Sequence, residues 1–366
     1  MNFNFNQEQQ LILQAALLQG EAAINSWQRW RTLINIDDVD QDSYRLLPLL
    51  YRNLSAHNVT DPYIGRLKGV YRRIWVENQV WFQQIRSILG SFQEADIKIM
   101  LLKDPALNLH YYQDYGLRYI DNLDFLINSK DVFNAVNLLQ ELGWIAKQKI
   151  PNPTIPFSHY IGFENESKQY LSLRWHLFAD GFNENAETEF WQNAILTQVN
   201  DFPVYLLSAT DQLFYTCVFG GLTNLISPIS RLVDAAIILQ SYPLEIDANR
   251  LLTLAEKYRF IILLKSRITQ LQEILNLPIS SLILPELQKL SISKFEHQEY
   301  QMITSKENTS LNRLKKRYFQ YSRIVNTDDF NVFNFFSYLQ SIWGLENLWQ
   351  VPIQAMIRGI NRQISR

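Results

Sequence analysis

Two oxygen-bearing side chains, Asn122 and Asp124, lie two residues apart where the short apolar stretch LDFLI (123–127) begins. Side chains at positions i and i+2 of a β-strand project from the same face, so we expect these two groups side by side. Asp121 lies three residues from Asp124 and points to the opposite face of a regular strand. Because holding divalent cations takes several carboxylate oxygens, this face offers only a weak set of metal ligands.

A second polar group, Lys103-Asp104-Pro105, directly follows the apolar run IKIMLL (97–102). Asp is a favoured N-cap and Pro is favoured at the first helical position, which predicts a structural helix cap at Asp104. The alternative is a turn that faces a phosphate group at a helix N-terminus. An Asp in that place would present a negative charge to the phosphate.

Other common chemistries have no support in the sequence. The five histidines form no recognised metal-binding spacing, and no G-x-S-x-G, Walker A or G-x-G-x-x-G motif occurs. The single cysteine, Cys217, excludes an internal disulfide and a zinc site built from cysteines. We expect Cys217 to be a small core residue.

The composition is that of a folded globular chain. Of the 366 residues, 47% are hydrophobic and 13% aromatic, which is too apolar for disorder. The net charge of −2 gives no overall basicity that would indicate nucleic acid. The first residues resemble no signal peptide, and no continuous apolar span is long enough for a membrane. We therefore expect a cytoplasmic protein that binds no membrane.

Helical patterns occupy the first part of the chain, to about residue 95. The longest predicted helix runs from about residue 62 to 92 and contains a basic run, RLKGVYRR (66–73). A second basic run with interleaved aromatic residues, RLKKRYFQYSR, covers 313–323. Each is interpreted as a solvated helix face, and a face that contacts phosphate or a partner is the alternative for the first.

The pattern changes to short strands after residue 95. IKIMLL and LDFLI predict buried strands, and HYIGFEN (159–165) with QYLSLRWHL (169–177) predicts a hairpin. Helical patterns return from about residue 206. We therefore divide the chain into a helical region at 1–95, an α/β core at 96–205 and a second helical region at 206–366.

Several of these segments together resemble a bacterial family within the DNA polymerase β-like nucleotidyltransferase superfamily. The resemblance rests on LLKDPALNLHYYQDYGLR (101–118), DNLDFLI (121–127), DVFNAVNLLQELGW (131–144) and LSLRWHL (171–177). It implies an α+β, predominantly helical fold, in which a polymerase β-like core is flanked by N- and C-terminal helical regions.

The resemblance also implies a reaction, the transfer of a nucleotidyl group from a nucleoside triphosphate with Mg²⁺. Members supply an Asp-x-Asp pair and a third Asp on a neighbouring strand. Here those three positions are Asn122, Asp124 and Ser172, so one carboxylate stands where three are expected. Asp124 and Asn122 are the candidate catalytic and metal-binding residues, and we expect any Mg²⁺ binding to be weak.

Phosphate binding is implied at four further positions, Lys103, Asp104, Arg118 and Arg174. The family has Gly where this chain has Asp104, and Arg174 shares a strand face with Ser172. Two functions remain open at this point. The chain is either a nucleotidyltransferase with an unknown acceptor, or a catalytically degenerate member that serves as a scaffold for a peptide or protein partner.

Overall fold

The computed structural model describes residues 5–147, 159–178, 187–219, 228–304, 310–325 and 331–364. Helices before and after a single mixed β-sheet account for most of this part of the chain, which is the α+β, mainly helical class expected from the sequence. No helix in the described ranges is long and apolar enough to cross a bilayer.

Five helices precede the sheet. A short 3-10 turn, Ile36–Asp38, separates the second and third. The helices are α1 (Gln7–Leu17), α2 (Gly20–Leu33), α3 (Gln41–Tyr44), α4 (Leu47–Ala56) and α5 (Ile64–Glu94). The 31-residue α5 confirms the long helix predicted at 62–92.

In its described residues, the α/β core contains seven strands and three short helices. The helix at Lys103–Ala106 continues as a π-helical turn through Tyr112, and another 3-10 turn, Ser129–Asp131, precedes the next. The elements are β1 (Met100–Leu102), α6 (Lys103–Ala106), β2 (Leu123–Leu126), α7 (Val132–Glu141), β3 (Ile145–Ala146), β4 (Tyr160–Glu164), β5 (Tyr170–Arg174), α8 (Thr188–Gln192), β6 (Ile195–Val199) and β7 (Phe202–Leu206).

The strands form one sheet in the order β3-β4-β5-β2-β1-β7-β6. Strand β1 pairs antiparallel with β2 and parallel with β7, while β2 pairs parallel with β5. The predicted hairpin is confirmed, because β4 and β5 pair antiparallel with Glu164 opposite Tyr170. The predicted strands LDFLI and IKIMLL are also present, the second only over its last three residues.

Nine helices follow the sheet in the described residues, with a 3-10 turn at Pro243–Glu245. They are α9 (Ala209–Val218), α10 (Pro228–Ser241), α11 (Ala248–Lys257), α12 (Ile261–Leu275), α13 (Pro278–Lys289), α14 (Lys294–Thr304), α15 (Ser310–Val325), α16 (Val332–Trp343) and α17 (Gln350–Ile364). Cys217 is buried in α9, as expected for a small core residue.

Strands β1 and β2 carry apolar residues on both faces of the sheet. Because side chains alternate along a strand, neighbouring residues enter two different cores. Met100, Leu102 and Leu126 join a core that extends from Phe5 to Leu287. On the other face, Leu101, Leu123 and Phe125 pack in a second core with the C-terminal half of α5 and with α7. A small third cluster joins α15, α16 and α17. The sheet is thus enclosed by helices from both ends of the chain.

Candidate functional site

Asp124 occupies the middle of the sheet, on strand β2. Its register partners are Leu102 on β1 and Ser172 on β5. The Asp124 side chain is 0% exposed, and the next residue along its strand face, Leu126, belongs to the larger apolar core. Ser172, the position of the third acid implied by the family resemblance, therefore lies directly beside Asp124.

Two cationic side chains bind the Asp124 carboxylate. Lys103 Nζ lies 2.9 Å from Asp124 Oδ1, and Arg174 Nε donates to the same oxygen at 2.7 Å. Both cations also lie over the ring of Phe219, with the Lys103 nitrogen 4.2 Å from its centroid and the Arg174 guanidinium carbon 5.4 Å. The other carboxylate oxygen, Oδ2, is buried and has no hydrogen-bond partner within the described ranges.

Lys103 reaches Asp124 from the point where β1 ends and α6 begins. Its φ of +53° is left-handed, a conformation that costs a non-glycine residue roughly 1–2 kcal/mol. Arg174 is the last residue of β5 and shares the face of Ser172, because the two are separated by two positions. Neighbouring strands and one strand-to-helix turn therefore place all three charged groups together.

Burial and the neighbouring charges set the protonation of this group. Burial lowers the pKa of Lys103, and the adjacent Asp124 opposes that effect. Burial also acts to lower the pKa of Arg174, but the Asp124 carboxylate together with the nearby Tyr215 and Tyr160 raises the pKa overall. His159, nearby, has its pKa lowered to about 3 by burial and by the positive charge of Arg174. With Lys103 and Arg174 protonated, the three side chains carry a net charge of +1.

Asn122 lies just before β2, which begins at Leu123, and is partly buried. Its side chain makes no hydrogen bond to the residues that the structure describes. The assignment of Asn122 as a metal ligand stays a prediction.

Asp104 does not cap a helix. Helix α6 begins at Lys103 without a side-chain cap, so the predicted N-cap at Asp104 is wrong. Its Oδ2 instead accepts the backbone N–H of Asp121 at 3.1 Å, and its Oδ1 lies 3.0 Å from Arg118 Nη2. A buried guanidinium attracts the carboxylate more strongly than a neutral helix N–H group, which explains the difference.

Arg118 binds an acid far away in the chain. Its Nε and Nη2 donate to the two carboxylate oxygens of Asp234 at 2.7 and 2.8 Å, and Asp234 Oδ1 also accepts the Tyr112 hydroxyl at 2.7 Å. This bidentate pair ties the α/β core to helix α10. The structure thus places Arg118 with Asp104 and Asp234, and Arg174 with Lys103 and Asp124, whereas Lys103, Asp104, Arg118 and Arg174 were all predicted to bind phosphate.

Sequence reasoning missed Asp234, Phe219 and Tyr160. Asp234 is the one charged residue in the apolar stretch VDAAIILQ (233–240), and an isolated buried acid on a helix was a usable signal of a partner. Tyr160 lies with its ring 5.0 Å from the Arg174 guanidinium carbon. Neither aromatic residue has a sequence signal that separates it from the many core aromatics.

Comparison with known proteins gives a family match. Residues 41–275 match a family model described as an uncharacterised nucleotidyltransferase. No curated protein matches the chain.

Two solved structures are distantly similar. The solution structure of the antibiotic-resistance factor ANT(2'')-Ia has a TM-score of 0.38 and 13% identity, over 54% of this chain and 97% of that one. The crystal structure of ANT(2")-Ia in complex with adenylyl-2"-tobramycin has a TM-score of 0.36 and 12% identity, over 49% of this chain and 97% of that one. Likenesses at this distance imply no substrate for this chain.

Proposed function

The chain belongs to the family of uncharacterised nucleotidyltransferases, and from this membership we propose that it binds a phosphate-bearing ligand without the metal-dependent transfer reaction. The observation that carries the proposal is the pairing of Asp124 with Lys103 and Arg174 through one carboxylate oxygen. Family members are expected to present three carboxylates at this place, and here a single carboxylate is neutralised by two cations.

Divalent metal does not fit the residues present. A Mg²⁺ ion needs several oxygen ligands and surrounding negative charge. The described residues contain no group of three His, Cys, Asp or Glu side chains that could hold a metal ion. Two protonated groups within 3 Å of Asp124 Oδ1 repel a further cation. We therefore derive no reaction step through Mg²⁺.

The same charge balance favours an anion. Three carboxylates without metal would carry −3 and repel a triphosphate, whereas Asp124, Lys103 and Arg174 together carry +1. The two terminal nitrogens of Arg174 make no hydrogen bond within the described residues, so its planar fork keeps donors for a phosphate oxygen. Lys103 adds a second positive charge, with its side chain 16% exposed.

A nucleotidyltransferase remains the second candidate because one oxygen of Asp124 is a buried acceptor without a partner in the described part of the chain. Asp124 Oδ2 is buried without a hydrogen-bond partner in the described part of the chain, and an acceptor of this kind favours a ligand that supplies positive charge or a proton. In this case Asp124, with Asn122, would hold a single metal ion. The peptide or protein partner considered from the sequence stays a prediction.

Calorimetric titration with ATP and with pyrophosphate, in EDTA and again in excess Mg²⁺, separates the two candidates. We expect binding in EDTA, no strengthening by Mg²⁺, and an affinity about tenfold weaker in Arg174→Gln, since a charged hydrogen bond is lost. Lys130→Gln, a change at an exposed lysine before α7, is the matched control and should bind like wild type.

Two outcomes would overturn the proposal. Absence of binding in EDTA would remove the metal-independent phosphate site. Micromolar binding that appears only with Mg²⁺, together with nucleotidyl transfer, would establish the transferase instead.

A further inference from the structure

A separate cavity of about 470 Å³ lies between α5 and the segment that precedes α4. Its volume is within the range of small-molecule sites. The lining residues are Ile36, Asp37, Val39, Tyr44, Leu47, Arg66, Gly69, Val70 and Arg73. None of them takes part in the Asp124 group.

A glycine of α5, Gly69, lines this space. Gly69 lies in the interior of the 31-residue helix, where glycine costs about 1 kcal/mol relative to alanine. A Cβ atom at Gly69 would have no heavy atom within 4 Å, so no close packing requires the glycine there. Arg66 and Arg73 share its helix face, because they lie three residues before and four residues after it.

The cavity has an apolar floor and one arginine, Arg73, that donates no hydrogen bond to an acid among the described residues; its ion-pair contact, Glu77, lies at 3.6 Å. Ile36 and Leu47 are 6% and 1% exposed and form part of the larger core. Asp37 is already bound to Arg66 through a two-point ion pair at the rim. Among the basic side chains that line the cavity, Arg73 is therefore the one whose hydrogen-bond donors are not taken up by a carboxylate.

Arg73 is held in place by two tyrosines. Its guanidinium lies 5.8 Å from the ring centroid of Tyr44 and 5.9 Å from that of Tyr119, and it donates to the Tyr119 hydroxyl. Glu77 approaches only to 3.6 Å, with both side chains about half exposed. A guanidinium has five N–H donors, so donors remain for a ligand in the cavity.

We propose that this cavity binds a small organic anion, in which a flat apolar body lies on the Tyr44 side and a carboxylate or phosphate pairs with Arg73. The apolar floor takes the body of the molecule, and the fixed guanidinium takes its charge. The basic run RLKGVYRR (66–73) identified in the sequence thus contributes a binding group from its last residue.

Three probes with the same apolar body test the charge preference: naphthylacetate, naphthylacetamide and naphthylethylamine. Measured by calorimetry or ligand-observed NMR, naphthylacetate should bind about tenfold more tightly than the neutral amide, because a charge-assisted hydrogen bond is at stake. The amine should bind more weakly than both. Arg73→Gln should remove the difference between acid and amide.

Gly69→Leu places a bulky side chain in the cavity and should strongly weaken binding of naphthylacetate. Gly65→Leu is the matched control, since Gly65 is on the same helix, also has no atom near its Cβ position and does not line the cavity. Circular dichroism of both variants should show the helical content of wild type. Failure of naphthylacetate to bind, equal binding of the three probes, or equal binding by the two leucine variants would overturn the proposal.

Discussion

Asp124 accepts hydrogen bonds from two cations through one oxygen, and this local charge balance governs what the surrounding strands can bind. A lone buried carboxylate would be costly, and Lys103 at 2.9 Å with Arg174 at 2.7 Å stabilises its charge. Lys103 and Arg174 therefore lie beside the Asp124 carboxylate, where a bound divalent cation would have to lie. At the scale of single residues, this charge balance supports the proposed anion site.

Because of His159, the free energy of unfolding of the protein depends on pH. Its pKa in the folded protein is about 3, against 6.5 for an ordinary histidine, so unfolding takes up a proton between these values. The contribution of His159 to stability is full above about pH 6.5 and is lost as the pH falls toward 3. At about pH 5 the loss should be about 1–2 kcal/mol.

Urea denaturation at about pH 7 and about pH 5 measures this effect. His159→Gln should lose about 1–2 kcal/mol less stability than wild type between the two conditions, because the variant has no group to protonate there. His297→Gln, at an exposed position on α14, should retain the wild-type pH dependence. An unchanged pH dependence in His159→Gln would show that another group is responsible.

At the scale of elements, α5 is the helix that connects the regions of the chain. Its Tyr71 donates to Asp114 at 3.0 Å, and its Asn78 donates to the carbonyl oxygens of Tyr115 and Arg118 at 2.6 and 2.7 Å. These contacts fix the turn that leads from the π-helical segment to β2. The position of Asp124 therefore depends on a helix that begins sixty residues earlier in the sequence.

Gly116, in that turn, tests how tightly α5 is packed. A Cβ atom there would lie 2.2 Å from a ring carbon of Tyr71, and the ring is held by Asp114 and by Tyr51. Gly116→Ala should destabilise the protein by about 1–3 kcal/mol through overpacking. Gly69→Ala, in the interior of α5 with open space around it, should instead gain up to about 1 kcal/mol. Thermal and urea unfolding of both variants give the comparison, and equal stability of the two would contradict it.

At the scale of the whole molecule, the apolar cores cross the proposed regional boundaries. One face of the sheet packs in a core that draws members from Phe5 to Leu287, and the other face packs against the C-terminal half of α5. The region 96–205 does not include α5. It also lacks the N- and C-terminal helices that pack on the sheet face of Met100 and Leu126. The third cluster, on α15 to α17, is separate from both.

A fragment of residues 96–205 should consequently fail to fold. Exposing both faces of the sheet forfeits the burial that stabilises it, with about 25 cal/mol lost for each Å² of apolar surface returned to water. A fragment of residues 1–291 retains every member of the two larger cores and should unfold in one cooperative transition. Two-dimensional amide NMR and calorimetry distinguish these cases, and a dispersed spectrum from 96–205 alone would contradict the expectation.

The sequence by itself determined the elements that local patterns specify. The helical period along α5 and the alternation in the β4–β5 hairpin each reflect contacts within a few residues, so they were predicted correctly. The apolar run before Lys103 was predicted as a strand over 97–102, and the strand forms over Met100–Leu102. The replacement of two expected acids by Asn122 and Ser172 was likewise visible without any structure.

Only the tertiary structure decided the partners of the charged residues. Asp104 has the local features of an N-cap, yet it binds Arg118 and the Asp121 N–H, and Arg118 in turn binds Asp234, which is 116 positions away. Burial strengthens an ion pair between distant segments, because little water screens it, and a local pattern carries no information about which segments meet. The same reason explains why the direct pairing of Asp124 with Lys103 and Arg174 through one oxygen became visible only when β1, β2 and β5 were placed side by side.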